Sequence, residues 1–293
     1  MEEIVYLNGK LVPRPEAKIS VSDHGFLYGY GLFQTLRAYN GRLFLLDKHL
    51  ERLYQAAEVI GLRKKLSGID LEKACLDTLK ANKLQEARVR LTVTNGESAA
   101  LPWTDPAAGP PNVVVTAVPY TPFTTEKYAQ GFNVGIASVR RMGQSVVSSM
   151  KSINYLLNVM ARMESTAQGL DETVLLNGEG YVAEGGGSNI FFVREGRLVT
   201  PKVDSGIIPG VTREVVMDLA EQLDIKVTEG TVGIGVFRKC EEAFMTNALI
   251  EVMPVVAVRD ETGQEIVIGG GKPGKITQKL MAAYRERVEK GTR

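Results

Sequence analysis

The chain is expected to be an α/β (α+β) protein of two domains, a smaller N-terminal domain of sheet plus helices and a larger, β-rich C-terminal domain. Three observations predict this. Strand-like stretches, some strictly alternating such as Arg88-Val89-Arg90-Leu91-Thr92-Val93-Thr94, are interspersed with amphipathic helical ones. The 293 residues suffice for two modest domains. Pro119-Tyr120-Thr121-Pro122-Phe123 is the best linker candidate, because two prolines disrupt strand pairing and stiffen a connection. The expected division is therefore 1–118, a linker over 119–130, and 131–293.

In chain order, Ile4-Val5-Tyr6-Leu7, Asn8-Gly9 and Lys10-Leu11-Val12 read as a hairpin, since Asn-Gly tolerates the positive φ of a tight turn. A second hairpin is expected around Asn40-Gly41. Asp47 is placed to cap a helix whose Leu50, Leu53, Ala57 and Ile60 form one stripe ended by Gly61. Another helix starts near Asp70, with Leu71, Ala74, Cys75 and Leu79 facing inward. In the alternating strand, Val89, Leu91 and Val93 lie on one face and Arg88, Arg90 and Thr92 on the other. Val113 to Val118 reads as a strand buried on both sides. Further strands are expected at 132–139, 172–176, 189–193, 225–229, 243–246 and 255–258, and a closing helix from Lys275 to Glu289 after a flexible Gly269-Gly270-Gly271 loop.

Composition narrows the function classes. No apolar run approaches the ~20 residues needed to cross a bilayer, and Met1-Glu2-Glu3 lacks the zones of a signal peptide, so a cytoplasmic protein is expected. Net charge is +1, from 35 basic and 34 acidic residues, which leaves no global field for nucleic acid or an anionic membrane. A small anionic substrate can still be held by local arginines. Cys75 and Cys240 offer neither a disulfide framework nor a zinc spacing, and with only His24 and His49 besides, no metal is expected.

The chemistry centres on Met150-Lys151-Ser152-Ile153-Asn154-Tyr155. Ile153, Leu156, Leu157, Met160, Ala161 and Met163 recur at helical spacing, which places Lys151 in or just before a first turn, where the positive helix end disfavours an ammonium. A desolvated lysine there can become a nucleophilic amine that condenses with a carbonyl. Taken alone, Lys151 reads as one of many solvated surface lysines. Thirty-three positions after Lys151 comes Glu184-Gly185-Gly186-Gly187-Ser188-Asn189-Ile190-Phe191, an acid beside glycines that let a ligand approach the backbone. Ile208-Pro209-Gly210-Val211-Thr212-Arg213 opens a helix whose free N–H groups, with the Thr212 hydroxyl, make a phosphate cradle. By itself that is an ordinary helix start.

These three motifs, with Asp23-His24-Gly25-Phe26-Leu27-Tyr28-Gly29-Tyr30-Gly31-Leu32-Phe33-Gln34-Thr35-Leu36-Arg37 before them, resemble the fold-type IV, class IV aminotransferase family of pyridoxal 5'-phosphate enzymes over nearly the whole chain. The resemblance implies that Lys151 carries the cofactor as a Schiff base and that Glu184 binds its pyridine nitrogen. It implies that Tyr155 meets the ring hydroxyl, and that Arg52, Gly210, Val211 and Thr212 hold the phosphate. Ser188 and Asn189 belong to the same cofactor motif. Relatives usually carry a phosphate-binding threonine at the Ala248 position; here Thr246 or Asn247 is expected to substitute. Tyr28, Phe33, Thr35, Arg37 and Arg90 match positions on the substrate side. A homodimer with the site between the domains, closed by the partner subunit, is implied as well.

Phe33-Gln34-Thr35-Leu36-Arg37 and Thr246-Asn247-Ala248 look most like bacterial 4-amino-4-deoxychorismate lyases, whereas branched-chain aminotransferases usually carry Glu-Gly at Gln34-Thr35. The lyase, which makes 4-aminobenzoate and pyruvate, is therefore the leading expectation. A branched-chain or D-amino acid transaminase is the alternative, and a non-catalytic ligand-binding descendant the third. The two enzymatic readings share Lys151 as the proton-moving base.

Overall fold

The computed structural model describes residues 2–105 and 109–292. It divides into two compact units: 1–121 with 150–154 and 288–293, and 122–149 with 155–287.

In the first unit, β1 (Ile4–Leu7) and β2 (Lys10–Pro13) join through Asn8 and Gly9, whose φ of 49° and 93° are the two positive values a type I′ turn requires. There follow α1 (His24–Tyr28), β3 (Gly31–Tyr39), β4 (Arg42–Leu43), α2 (Leu46–Val59), α3 (Leu71–Ala81), β5 (Ala87–Thr94) and β6 (Asn112–Pro119). Among the described residues the strands form a six-stranded antiparallel sheet in the order β2-β1-β6-β5-β3-β4. Leu32, Leu36, Val89, Leu91, Val113 and Val115 face a core completed by Leu50, Leu53 and Ala57 of α2 and Leu71, Cys75 and Leu79 of α3. Leu53 is fully buried there. Leu53→Ala is expected to cost about 2–5 kcal/mol of stability, read from urea unfolding.

Several expectations change. The α2 N-cap is Leu45, at φ 52° and without a side-chain bond, and Asp47 sits inside the first turn, where its charge still favours the helix end. Asp70 does cap α3, accepting from the Lys73 N–H. β6 is buried on one face only, its Val114, Thr116 and Val118 half-exposed, because α2 and α3 pack on the core side alone. Part of the expected linker is helical: Thr124 caps α4 (Thr125–Gln130) through a bond to the Lys127 N–H.

The second unit continues with β7 (Phe132–Arg141), α5 (Val146–Ser149), α6 (Leu156–Ala167), β8 (Glu172–Asn177), β9 (Tyr181–Gly185), β10 (Asn189–Arg194), β11 (Arg197–Pro201), α7 (Val211–Gln222), β12 (Val227–Gly230), β13 (Val232–Gly233), β14 (Glu242–Asn247), β15 (Glu251–Arg259), β16 (Glu265–Val267) and α8 (Lys275–Gly291). Among the described residues its sheet has ten strands, ordered β12-β11-β10-β14-β15-β7-β8-β9-β13 with β16 on β15. Parallel pairs (β11 with β12, β15 with β7, β7 with β8) mix with antiparallel ones. Ile190, Phe192, Met245 and Val174 face one core, while Asn189 and Phe191 share the opposite face with Phe244 and Thr246 across the β10/β14 register.

The Lys151 expectation fails in its local form. α6 begins at Leu156 with Tyr155 as N-cap, so Lys151 lies four residues earlier. That segment is non-helical and paired to β3: Phe33 N–H donates to Lys151 O (2.9 Å) and Ile153 N–H to Gly31 O (3.1 Å), which groups 150–154 with the first unit. The α6 stripe also differs. Leu156, Met160 and Met163 are exposed, and Asn158, Ala161 and Ser165 are the buried residues, because small and hydrogen-bonding side chains allow α6 to lie close on β7 and β8.

Both thiols are buried, and burial pushes Cys75 up to about 12 and Cys240 up to about 11. Neither is expected to react with a chromogenic disulfide at pH 8 until the chain is unfolded, when both react. No described helix is long and apolar enough to cross a membrane.

Candidate active site

In the first unit the site is built on β3. Alternation puts Phe33, Thr35 and Arg37 on the face away from the core, directly opposite Thr92, Arg90 and Arg88 of β5. Lys151 Nζ lies 4.7 Å from the centroid of the Phe33 ring, and the Arg90 guanidinium carbon lies 3.9 Å from the same centroid. Lys151, Phe33, Thr35 and Arg90 are thus together. Arg90 is exposed, and its Nε donates to Thr92 Oγ1 at 3.3 Å. Arg37 is placed differently: it is buried, pairs with Glu86 at 3.4 Å, and lies over the Tyr39 and Tyr120 rings, contacts of a structural anchor. Tyr28 is exposed on α1, edge-on to His24 and Trp103.

On the core side of β3, Gln34 takes a donor from each of two α2 residues. Arg52 Nη2 lies 2.5 Å and His49 Nδ1 3.3 Å from its side-chain carbonyl oxygen. Burial, then the Arg52 and Lys151 charges, hold His49 well below its usual value, so the ring is neutral.

In the second unit Glu184 lies near the end of β9, opposite Leu175 on the face that α6 covers. Arg141 Nη1 pairs with its Oε1 at 3.0 Å, and the Ile208 N–H donates to its Oε2 at 2.8 Å. Arg141 is fixed in turn by bonds to the Gly206 and Ser148 carbonyls. Asn189 Nδ2 donates to Ile208 O at 2.8 Å. Its Oδ1 would lie only 2.1 Å from a Cβ at Gly210, so the start of α7 fits against β10 only with glycine there.

The Gly210 cap carries no side-chain bond, which leaves the first α7 N–H groups of Val211 and Thr212 available to an anion. Tyr155 donates its hydroxyl to Gly186 O at 3.0 Å, and burial, with the Glu184 charge next, pushes it up to about 12. It stays a protonated donor at any physiological pH.

Asn247 and Thr246, the two candidates for the missing hydroxyl, separate clearly. Asn247 is committed: its Nδ2 donates to Gly187 O and its Oδ1 accepts from Leu249 and Ile250 N–H. Thr246 Oγ1 is buried without a hydrogen-bond partner, on the strand position opposite Asn189. Ser188 Oγ is likewise buried and unpartnered. Orphaned buried hydroxyls and an uncapped helix start fit a ligand rich in acceptor oxygens, such as a phosphate.

Residues 31–258 match the family model for amino-transferase class IV. The chain belongs to that family. A putative branched-chain-amino-acid aminotransferase of Methanocaldococcus jannaschii is 37% identical over 96% of this chain and 95% of its own length. The aminodeoxychorismate lyase of Bacillus subtilis is 31% identical over 98% of this chain and 95% of its own. Among solved structures, the T.th. branched-chain amino acid aminotransferase with pyridoxamine 5'-phosphate superposes with a TM-score of 0.88 at 30% identity, covering 100% of this chain and 96% of that one. This member of the class IV family is accordingly a fold-type IV, pyridoxal phosphate-dependent enzyme, a transaminase or a lyase.

Sequence reading missed Arg141, Gln34 and His49. Gln34 did leave a signal, a polar residue at the core phase between Leu32 and Leu36. Arg141 left none, since Arg140 beside it is chemically identical.

Proposed function

We propose that this class IV enzyme is a 4-amino-4-deoxychorismate lyase releasing 4-aminobenzoate and pyruvate. The observation that carries the reading is the cationic sheet face beside Lys151, where Arg90 and Arg88 are both exposed. Each product bears one carboxylate, so the substrate bears two, and this face suits a dianion better than an aliphatic side chain. The 31% identity to the Bacillus subtilis lyase supports the same choice.

In this reading Arg90 binds and orients a substrate carboxylate against the Phe33 wall. Lys151 Nζ would hold the cofactor and serve as the base that takes the proton from the amine-bearing carbon. Glu184, held in place by Arg141, would hold a proton at the pyridine nitrogen. As the resemblance implies, Arg52, the first N–H groups of α7 and the Thr246 hydroxyl would hold the phosphate, and Tyr155, whose own proton goes to Gly186 O, would accept from the ring hydroxyl. The bound cofactor supplies the electron sink that makes that carbon acidic. On such a substrate, breaking the neighbouring C–O bond would release enolpyruvate, which takes up a proton to become pyruvate, and would leave an aromatic ring. The enzyme is taken to act as a cytoplasmic homodimer on this small anionic amine.

A transaminase is the second reading, favoured by the 37% identity to the Methanocaldococcus jannaschii protein. The deciding experiment is incubation with aminodeoxychorismate and no keto acid. Release of pyruvate and 4-aminobenzoate in equal amounts is expected; turnover only with an amino donor and a keto acceptor would establish the transaminase instead.

A further inference from the structure

Along β5 the outward positions are Arg88, Arg90 and Thr92, and the residues level with them on β6 are Val118, Thr116 and Val114, so no acid flanks either arginine from that strand. On the other side Arg88 stands directly opposite Arg37, a like-charge pairing that weakens a sheet unless something offsets it. Arg37 is offset by Glu86, whose second oxygen accepts from the Asn40 N–H. Nothing comparable serves Arg88. Among the described residues its guanidinium makes no ion pair and no hydrogen bond. Taken alone, an exposed arginine is a solvated surface group. An uncompensated one beside a reactive lysine is the kind of local conflict that marks a functional position.

The order of groups along this face gives Arg88 a role. Lys151 Nζ lies against the Phe33 ring, on the row of Thr92. Arg90 is one row further on and leans back over the same ring, with its Nε bonded to Thr92. Arg88 is one row beyond that, displaced by about 7 Å, the rise of two strand residues. The lyase substrate carries its groups in the same sequence. Its amine-bearing carbon must reach the cofactor, the enolpyruvyl ether with one carboxylate is on the next carbon, and the second carboxylate is on the ring carbon opposite the amine. One guanidinium fork binds one carboxylate, so two that diverge need two arginines.

We propose that Arg88 binds the ring carboxylate, the one farthest from the amine, and thereby selects a cyclic dianion over a branched-chain amino acid, whose only carboxylate sits on the amine-bearing carbon. This rests on the lyase reading and deepens it.

The test is equilibrium binding to the cofactor-loaded enzyme of two probes that have no amine to displace Lys151: 4-hydroxybenzoate, which keeps the ring carboxylate, and pyruvate, which keeps the other. Arg88→Gln is expected to weaken 4-hydroxybenzoate by about tenfold or more, the scale of one charge-assisted contact, and to leave pyruvate within about twofold. Arg88→Lys, which restores the charge without the fork, is expected to recover part of the loss. Arg88 is exposed, so both variants should keep the melting temperature.

If Arg88→Gln weakens both probes equally, the arginine only adds to a general positive field; if it weakens neither, it is a solvated surface group. Either result overturns the proposal, as does failure of the unaltered enzyme to bind 4-hydroxybenzoate. The lyase reading is judged separately, by pyruvate release from aminodeoxychorismate. If release is absent while 4-hydroxybenzoate still depends on Arg88, the carboxylate site stands and the reaction is reassigned. If release occurs and Arg88→Gln binds 4-hydroxybenzoate as before, the reaction stands and the site falls.

Discussion

Lys151→Ala is expected to lower turnover by about 10³-fold or more and to abolish the visible band of the bound cofactor, because in the proposed reading the same amine anchors the cofactor and moves the proton. The fold should survive. The segment is held to β3 by the Phe33-to-Lys151 and Ile153-to-Gly31 backbone bonds, which the substitution leaves in place, and the side chain is only partly buried. The melting temperature is therefore expected to move little, and added small amines should restore part of the rate. An intact absorption band in this variant would place the covalent link elsewhere.

The second large effect is expected at the Arg141–Glu184 pair. Both side chains are nearly inaccessible, at 8% and 5% exposure, and both Glu184 oxygens are engaged, by Arg141 on one side and the Ile208 N–H on the other. Glu184→Gln keeps acceptors and shape, so the protein should fold and bind cofactor. In the proposed reading it removes the charge that holds the pyridine nitrogen protonated, and kcat is expected to fall by about 10²–10³-fold, the usual scale for one lost electrostatic contact.

Arg141→Met instead strands a buried carboxylate, expected to cost about 3–5 kcal/mol of stability in urea unfolding. Combining it with Glu184→Gln should recover much of that loss, since the two groups share one interaction and their effects do not add. Additive losses in the double variant would show that the pair is not coupled.

Much of the fold was legible because local rules coincided with tertiary ones. Asn8-Gly9 made its turn, Asp70 capped its helix, and the Arg88 to Thr94 alternation placed Arg90 on the outward face. Family motifs carried Glu184, Asn189 and Gly210, which the structure brings together around Ile208.

Where the sequence misled, a tertiary contact had overridden the periodic pattern. Lys151 looked helical because the apolar spacing from Ile153 onward is helical, yet pairing with β3 through a bridge at Ser152 keeps 151–153 out of the helix, which starts only after Tyr155. The α6 stripe pointed the wrong way because Asn158 seeks the Gly186 carbonyl, an attraction that hydrophobicity does not register. Arg37 and Arg90 were indistinguishable as two arginines on neighbouring strands. Only Glu86 and the tyrosine rings, brought in by register, separate the anchored one from the exposed one.

The most direct measurement is borohydride reduction of the cofactor-loaded enzyme followed by peptide mapping. A phosphopyridoxyl group on the peptide carrying Lys151, and on no other, is the predicted result. A label on a different lysine, or none on a protein that retains its cofactor, would contradict the assignment of Lys151 as the residue on which the chemistry turns.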